Sequence, residues 1–219
     1  MNRRTYLLSL SAAALSSAAW AQHNHGDDSH GYVGPEPGSL GGTIALSDLA
    51  GRPFTEANFA GFWTLLYFGY ANCRSACPTA LPNLSDALTR LRSARVAAQA
   101  VFVEIEAPAA PIRLRSQAAA ANTHNHRPSG TVALSALAEQ FSSIRFLTGS
   151  RAQLRQAFTA FRVRAEHVPP RTDLGEQGHS INHTSAIYLI DPTSEVAGYL
   201  RHDATPAAIA QFILARARR

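Results

Sequence analysis

A nearly continuous apolar and aromatic run at residues 62–70 is the feature that most constrains the fold of this chain. Such a run suits a β-strand buried on both faces, which requires a sheet covered by helices on both sides. Cys73 and Cys77 follow at once, and Pro78 stands where the first turn of a helix tolerates proline. Leucines then recur at helical spacing, at Leu81, Leu84, Leu88 and Leu91. The sequence therefore predicts a strand, a turn with two thiols, and a helix.

The rest of the periodicity predicts an α/β fold with a mixed central sheet flanked by helices. Further strands are predicted at residues 43–48, 96–105, 144–147, 180–191 and 196–201. Further helices are predicted at residues 132–141, 150–161 and 205–214. A cysteine motif after the first central strand, at the start of a helix, is typical of a thioredoxin-like arrangement.

Residues 1–21 have the organisation of an export signal. Arg3 and Arg4 precede a weakly apolar run at residues 6–19, and an Ala-Trp-Ala sequence ending at Ala21 fits a cleavage site. The arginine pair also resembles a twin-arginine signal. We therefore expect an exported, periplasmic protein. An uncleaved N-terminal anchor is the alternative, and it would be the chain's only contact with a membrane.

Two segments lack the large apolar residues that a core requires. Residues 22–42 are rich in His, Gly, Pro and Asp, which predicts a flexible linker before a folded domain at residues 43–219. Residues 107–130 contain three prolines and a run of alanines, which predicts a surface insertion in that domain. The linker histidines either bind borderline metals weakly or belong to a soluble spacer.

The charge pattern and the missing motifs exclude several function classes. The formal net charge is +5, and the basic residues are scattered rather than clustered, so we expect no nucleic-acid partner. A Ser/His/Asp triad, a phosphate-binding loop and a dinucleotide fingerprint are all absent from the sequence.

The two cysteines carry the most distinctive chemistry in the chain. Thiols at positions i and i+4 are expected on the same side of a helical turn, close enough to bridge or to share a metal. The positive end of a helix favours thiolate over thiol, and thiolate is both the nucleophile and the soft-metal ligand. From the spacing alone, Cys73 and Cys77 predict a disulfide, a redox couple or a soft-metal site.

The stretch at residues 66–78 resembles the Sco/SenC family of thioredoxin-like copper chaperones. That family has an apolar strand ending in Tyr-Phe-Gly, followed by Cys-x-x-x-Cys-Pro. Residues 182–192 are similar to the family's histidine before a strand that ends in Leu-Ile-Asp-Pro, and residues 146–150 also match. The resemblance extends over about residues 43–215.

The resemblance implies a copper site made by Cys73, Cys77 and His183 that takes Cu(I) or Cu(II). Thiolates suit the soft Cu(I) ion, and imidazole also suits Cu(II). His179 is a second candidate ligand. The resemblance further implies a cuproprotein acceptor, such as a cytochrome c oxidase subunit, and a thiol reductase as another partner. Asn182 departs from the family, which has Asp there.

The cysteine pair and the family resemblance are compatible with two functions, one of a metal-transfer protein and one of an enzyme. The first is a binding and transfer protein, not an enzyme, that delivers copper to a cuproprotein. The alternative is an exported thiol-disulfide oxidoreductase that uses Cys73 and Cys77, and a thiol peroxidase fits the motif less well. His183 separates the first two, because copper binding needs this side chain and dithiol exchange does not.

Overall fold

The computed structural model describes residues 36–73, 75–107, 130–169 and 180–218. Its strands are β1 (Ala45–Asp48), β2 (Pro53–Thr55), β3 (Trp63–Gly69), β4 (Ala98–Glu104), β5 (Ile144–Thr148), β6 (Ala165–Val168), β7 (Ser180–His183), β8 (Ala186–Ile190) and β9 (Val196–Arg201). Its α-helices are α1 (Cys77–Ser93), α2 (Gly130–Gln140), α3 (Arg151–Phe161) and α4 (Pro206–Ala217). Short 3₁₀ helices lie at Pro37–Ser39 and Glu56–Phe59.

Seven of the strands form one mixed sheet in the order β2-β1-β5-β4-β3-β8-β9. Strands β3, β4 and β5 run parallel, whereas β8 pairs antiparallel with β3 on the other side. Strands β6 and β7 form a separate antiparallel pair. The predicted mixed sheet with flanking helices is confirmed.

Strand β3 is the centre of the core, and all seven of its residues are buried. Neighbouring side chains point to opposite faces, so each face of the strand needs its own cover. Phe68 packs edge-on against the rings of Phe158 and Tyr188 and also contacts Phe161. Tyr67 lies on the other face, beside Phe102 of β4. The two-sided burial predicted from the apolar run is therefore confirmed.

The single strand predicted at residues 180–191 is wrong, because the chain forms β7 and β8 there, in different sheets. The break falls at Thr184, whose N–H donates to the Arg164 carbonyl while its hydroxyl accepts from the Arg164 N–H. These bonds hold the chain against the segment that leads into β6, so it changes sheets before β8 begins. The sequence analysis missed β6, whose four residues are all exposed and carry no apolar alternation.

The folded part begins before Thr43, so the predicted linker boundary is placed too late. Leu40 belongs to the core with only 8% of its surface exposed, and the Gly41 N–H donates to the Ala160 carbonyl at 2.8 Å. One apolar side chain in a glycine- and proline-rich segment is a weak sequence signal, yet it fills a place in the core. The predicted export signal at residues 1–21, residues 22–35 and most of the predicted insertion lie outside the described residues.

No helix in the described part of the chain is long and apolar enough to cross a membrane.

The Leu40 contact gives a test of the domain boundary. Leu40→Ala should lower the free energy of unfolding by about 2 kcal/mol, because it removes buried apolar surface and leaves a cavity. At this chain size, the loss corresponds to about 4–8 °C in Tm. Val132→Ala is the matched control, since Val132 is 59% exposed on α2. Equal Tm values for both variants in thermal unfolding of the metal-free protein would restore the linker boundary at residue 42.

Candidate metal centre

The two cysteines lie where β3 ends and α1 begins. Cys77 is the first residue of α1, with Pro78 in the first turn as predicted. Cys73 lies before the helix, in a turn closed by its own N–H, which donates to the Tyr70 carbonyl at 3.0 Å. The expectation that both thiols share a helical turn is therefore wrong. The turn that follows Tyr70, rather than helical periodicity, brings the two sulfurs together.

A buried carboxyl group anchors this turn to the sheet. Glu104, the last residue of β4, is 4% exposed, and its two oxygens accept the N–H groups of Ala71 at 2.9 Å and Glu106 at 3.1 Å. Burial raises the pKa of this carboxyl to about 8, against the opposing effect of those two hydrogen bonds. The sequence analysis missed Glu104. A single acidic residue inside the apolar run at 96–105 was the signal that could have identified it.

His183 reaches the cysteines from the end of β7. Its Nδ1 lies 3.1 Å from the Thr184 carbonyl oxygen, and this contact orients the ring. In the tautomer with the proton on Nδ1, Nε2 is the nitrogen that can act as a ligand. The Ile181 N–H donates to the Tyr70 hydroxyl at 3.3 Å, and the Tyr70 ring lies edge-on to the His183 ring at 5.9 Å. The residue that closes the cysteine turn thus also positions the histidine strand.

The structure brings Cys73, Cys77 and His183 together. One ligand atom from each lies within 4.8 Å of the others, and no other group of three potential ligands occurs among the described residues. At bond lengths of roughly 2.0–2.3 Å, two ligands of one ion lie up to about 4.6 Å apart. The spacing therefore fits one shared ion after a small contraction. His179 lies outside the described residues, and Asn182 is exposed opposite Glu166 of β6.

The two sulfurs differ in their affinity for protons. A hydrogen bond from the Cys77 thiol holds the pKa of Cys73 far below its usual range against the effect of burial, with help from the His183 ring and the N–H groups of Cys77 and Ser75. The same hydrogen bond, together with burial, raises the pKa of Cys77. Both residues are free cysteines. These opposite shifts favour the thiolate at Cys73 and the thiol at Cys77.

This combination of a mixed sheet, cysteines at a strand–helix junction and a histidine over them defines a thioredoxin-like protein with a candidate soft-metal centre. The profile of the SCO1/SenC family matches residues 34–126 and 128–218. The chain therefore belongs to the SCO1/SenC family, as its resemblance predicted.

Comparison with known proteins agrees with this assignment. The mitochondrial protein SCO1 of Saccharomyces cerevisiae is 31% identical over 166 residues, which cover 75% of this chain and 48% of that protein. The crystal structure of yeast Sco1 with copper bound superposes with a TM-score of 0.64 at 27% identity, covering 82% of this chain and 89% of that one. The chain spans about half the length of the curated relatives it matches.

A second structure supports the fold alone. Arabidopsis thaliana ScoI with copper bound has a TM-score of 0.65 at 21% identity, covering 82% of this chain and 98% of that one. The predicted thioredoxin-like fold is confirmed.

The buried Glu104 gives a prediction for the pH dependence of stability. Its folded pKa of about 8 lies above the value of 4.5 that a glutamate has in an unfolded chain, so the folded state binds more protons between these values. The contribution of Glu104 to stability is therefore present at low pH and falls as the pH rises from about 4.5 to about 8. We expect Glu104→Gln to flatten the decline of Tm over this range in the metal-free protein. If the Tm–pH curves of the wild type and Glu104→Gln ran parallel, Glu104 would not be the buried group with the raised pKa.

Proposed function

We propose that this protein is a copper chaperone that binds one copper ion through Cys73, Cys77 and His183 and passes it to a cuproprotein. The observation that carries the proposal is the convergence of two sulfurs and one imidazole nitrogen within 4.8 Å. Two thiolates and an imidazole form a donor set suited to Cu(I), and the imidazole extends it to Cu(II). The likeness to yeast Sco1, whose structure contains copper, supports the choice of metal.

The protonation states of the site suit the uptake and release of an ion. The Cys73 thiolate is ready to bind, whereas Cys77 must release its proton when it becomes a ligand. Both sulfurs are buried and His183 is only half-buried, so the ion reaches solvent and partners from the histidine side. A cargo site needs such access, because the acceptor must offer new ligands before the old ones are released.

We assign the acceptor and the location by family resemblance. The acceptor is a cuproprotein such as a cytochrome c oxidase subunit, which the protein meets after export. A thiol reductase is the second partner, because oxidation of the pair to a disulfide would remove both thiolates and with them the copper ligands. The export signal at residues 1–21 supports a periplasmic location.

A second candidate function rests on the unequal sulfurs. A Cys73 thiolate beside the protonated, more deeply buried Cys77 is the arrangement that a thiol-disulfide oxidoreductase uses, with one sulfur to attack and the other to resolve. The two activities can coexist, since delivery of copper to a dithiol site requires that site to be reduced.

Copper stoichiometry tests the cysteines. The reduced protein should bind one Cu(I) at the sulfur site, and Cys73→Ala/Cys77→Ala should lose it, because no thiolate remains. The measurement is metal analysis after equilibration with a competing Cu(I) chelator, which removes weakly held ions. Ser75→Ala is the control, since it alters the same turn and keeps both sulfurs. Equal copper retention by the wild type and the double variant would refute a cysteine-based site.

Replacement of His183 separates the two functions. His183→Ala should lose most Cu(II) binding and less Cu(I) binding, because two thiolates can hold Cu(I) alone while Cu(II) favours nitrogen donors and more ligands. Dithiol exchange by Cys73 and Cys77 should stay nearly unchanged, and His179→Ala should do little by comparison. Spectroscopic titration with each ion and a thiol-exchange assay give the answer. Normal binding of both ions with collapsed exchange would favour the oxidoreductase.

A further inference from the structure

The hydroxyl of Tyr67 is a buried donor without a hydrogen bond. Tyr67 lies in the middle of β3 with 0% of its surface exposed, and its oxygen has no hydrogen-bond partner among the described residues. A buried polar group left unpaired destabilises the fold, and a phenylalanine would fill the same space without that penalty. Phe68, the next residue of the strand, is buried as a plain phenyl ring. The Tyr67 hydroxyl therefore needs an explanation outside the packing of the metal-free protein.

The phenol points into the candidate metal centre. A Cβ atom placed on Gly69 would lie 2.8 Å from the Cys77 sulfur and 3.0 Å from Cε1 of Tyr67, so the sulfur and the ring edge flank the same small gap. The Tyr67 ring also lies edge-on to the His183 ring, with centroids 6.4 Å apart. Burial raises the pKa of the phenol, the charges of the two cysteine sulfurs and its contact with the Cys77 side chain raise it further, and its contact with Ser185 lowers it, although neither side chain meets the phenol oxygen in full hydrogen-bonding geometry.

The sulfur offers the phenol an acceptor only after it has lost its proton. In the metal-free protein the Cys77 sulfur lies 3.8 Å from the Tyr70 carbonyl oxygen, and a neutral thiol is a weak acceptor. A sulfur bound to copper is a thiolate, and hydrogen bonds to charged acceptors are the stronger ones. Ser185 is the less favourable alternative, because its hydroxyl is a neutral acceptor, whereas the copper-bound sulfur is charged.

We propose that Tyr67 is a positioning residue that donates its O–H to the Cys77 sulfur once this sulfur holds copper. The inference rests on the proposed copper function. The hydrogen bond withdraws electron density from the sulfur, and hydrogen bonding around a cysteine ligand is one means by which a protein tunes the redox potential of copper. Less density on the sulfur disfavours Cu(II) relative to Cu(I). Tyr67 thus biases the site toward the soft, reduced ion.

The test compares Tyr67→Phe with the wild type in the full chain, with and without copper. Without metal, Tyr67→Phe should keep or raise the Tm, because it removes an unpaired buried hydroxyl. With metal, it should bind Cu(I) about tenfold more weakly in chelator competition, as expected for the loss of one hydrogen bond to a charged sulfur. The sulfur-to-Cu(II) charge-transfer band should move to lower energy, and the copper reduction potential should fall.

Tyr188→Phe is the matched control. Tyr188 is a buried tyrosine of the adjacent β8, and its hydroxyl donates to the Phe161 carbonyl at 2.9 Å. This variant should lower the metal-free Tm by leaving that carbonyl without its donor, and it should not move the charge-transfer band or the potential. The two tyrosine variants thus have opposite expected signatures, and a general packing defect cannot produce the pattern expected for Tyr67→Phe.

Three results would overturn the inference. If Tyr67→Phe matched the wild type in Cu(I) affinity, band energy and potential, the phenol would not act on the copper-bound sulfur, while the copper function would stand. If the metal-free Tm of Tyr67→Phe fell as that of Tyr188→Phe does, the hydroxyl would already have a partner before copper binds. If the wild type retained no cysteine-dependent copper, the proposed function would fail first and the role of Tyr67 with it.

Discussion

The other elements of the fold are arranged around the burial of both faces of β3. The strand lies between β4 and β8, and side chains on each of its faces pack into a separate layer. Its end is therefore fixed in space, and with it the start of the cysteine turn. Gly69 completes the arrangement, because any side chain there would meet the Cys77 sulfur and the Phe102 ring at 2.8 Å. A rigid strand and a missing side chain together set the position of the buried sulfur.

The remaining parts of the centre come from elements far apart in the chain, and single hydrogen-bonding side chains join them. Glu104 holds the turn to the end of β4. Tyr70 accepts the N–H of Ile181 and so attaches the β6–β7 pair that carries His183. Because each of these side chains is buried, water competes poorly for its hydrogen bond, and the bond keeps its geometry. Ligands placed in this way need little rearrangement to meet one ion.

Low solvent access also shapes the electrostatics of the centre. Two thiolates side by side would repel each other in a dry environment, which favours a metal-free pair that retains one proton between its sulfurs. A copper ion bound as proposed would replace that proton and offset the repulsion between the sulfurs. Its binding would then release a proton, and the affinity of the site would depend on pH. Because the centre is shielded from solvent, bulk water cannot hydrogen-bond to the Tyr67 hydroxyl beside the sulfur, and the unpaired hydroxyl destabilises the metal-free fold.

Local signals in the sequence, an apolar run and leucines at helical spacing, were enough to predict the strand–turn–helix unit and the mixed sheet with its helices. The spacing of the two cysteines predicted a disulfide, a redox couple or a soft-metal site, and only the family resemblance implied His183 as a third ligand. Only the tertiary structure decided that Cys73 lies outside the helix, that residues 180–191 split between two sheets, and that Leu40 is part of the core. It also revealed Glu104 and Tyr67 beside the centre. Periodicity reports which face of an element is buried, whereas the partner of a buried polar group depends on residues distant in the chain, and those contacts exist only once the sheet has formed.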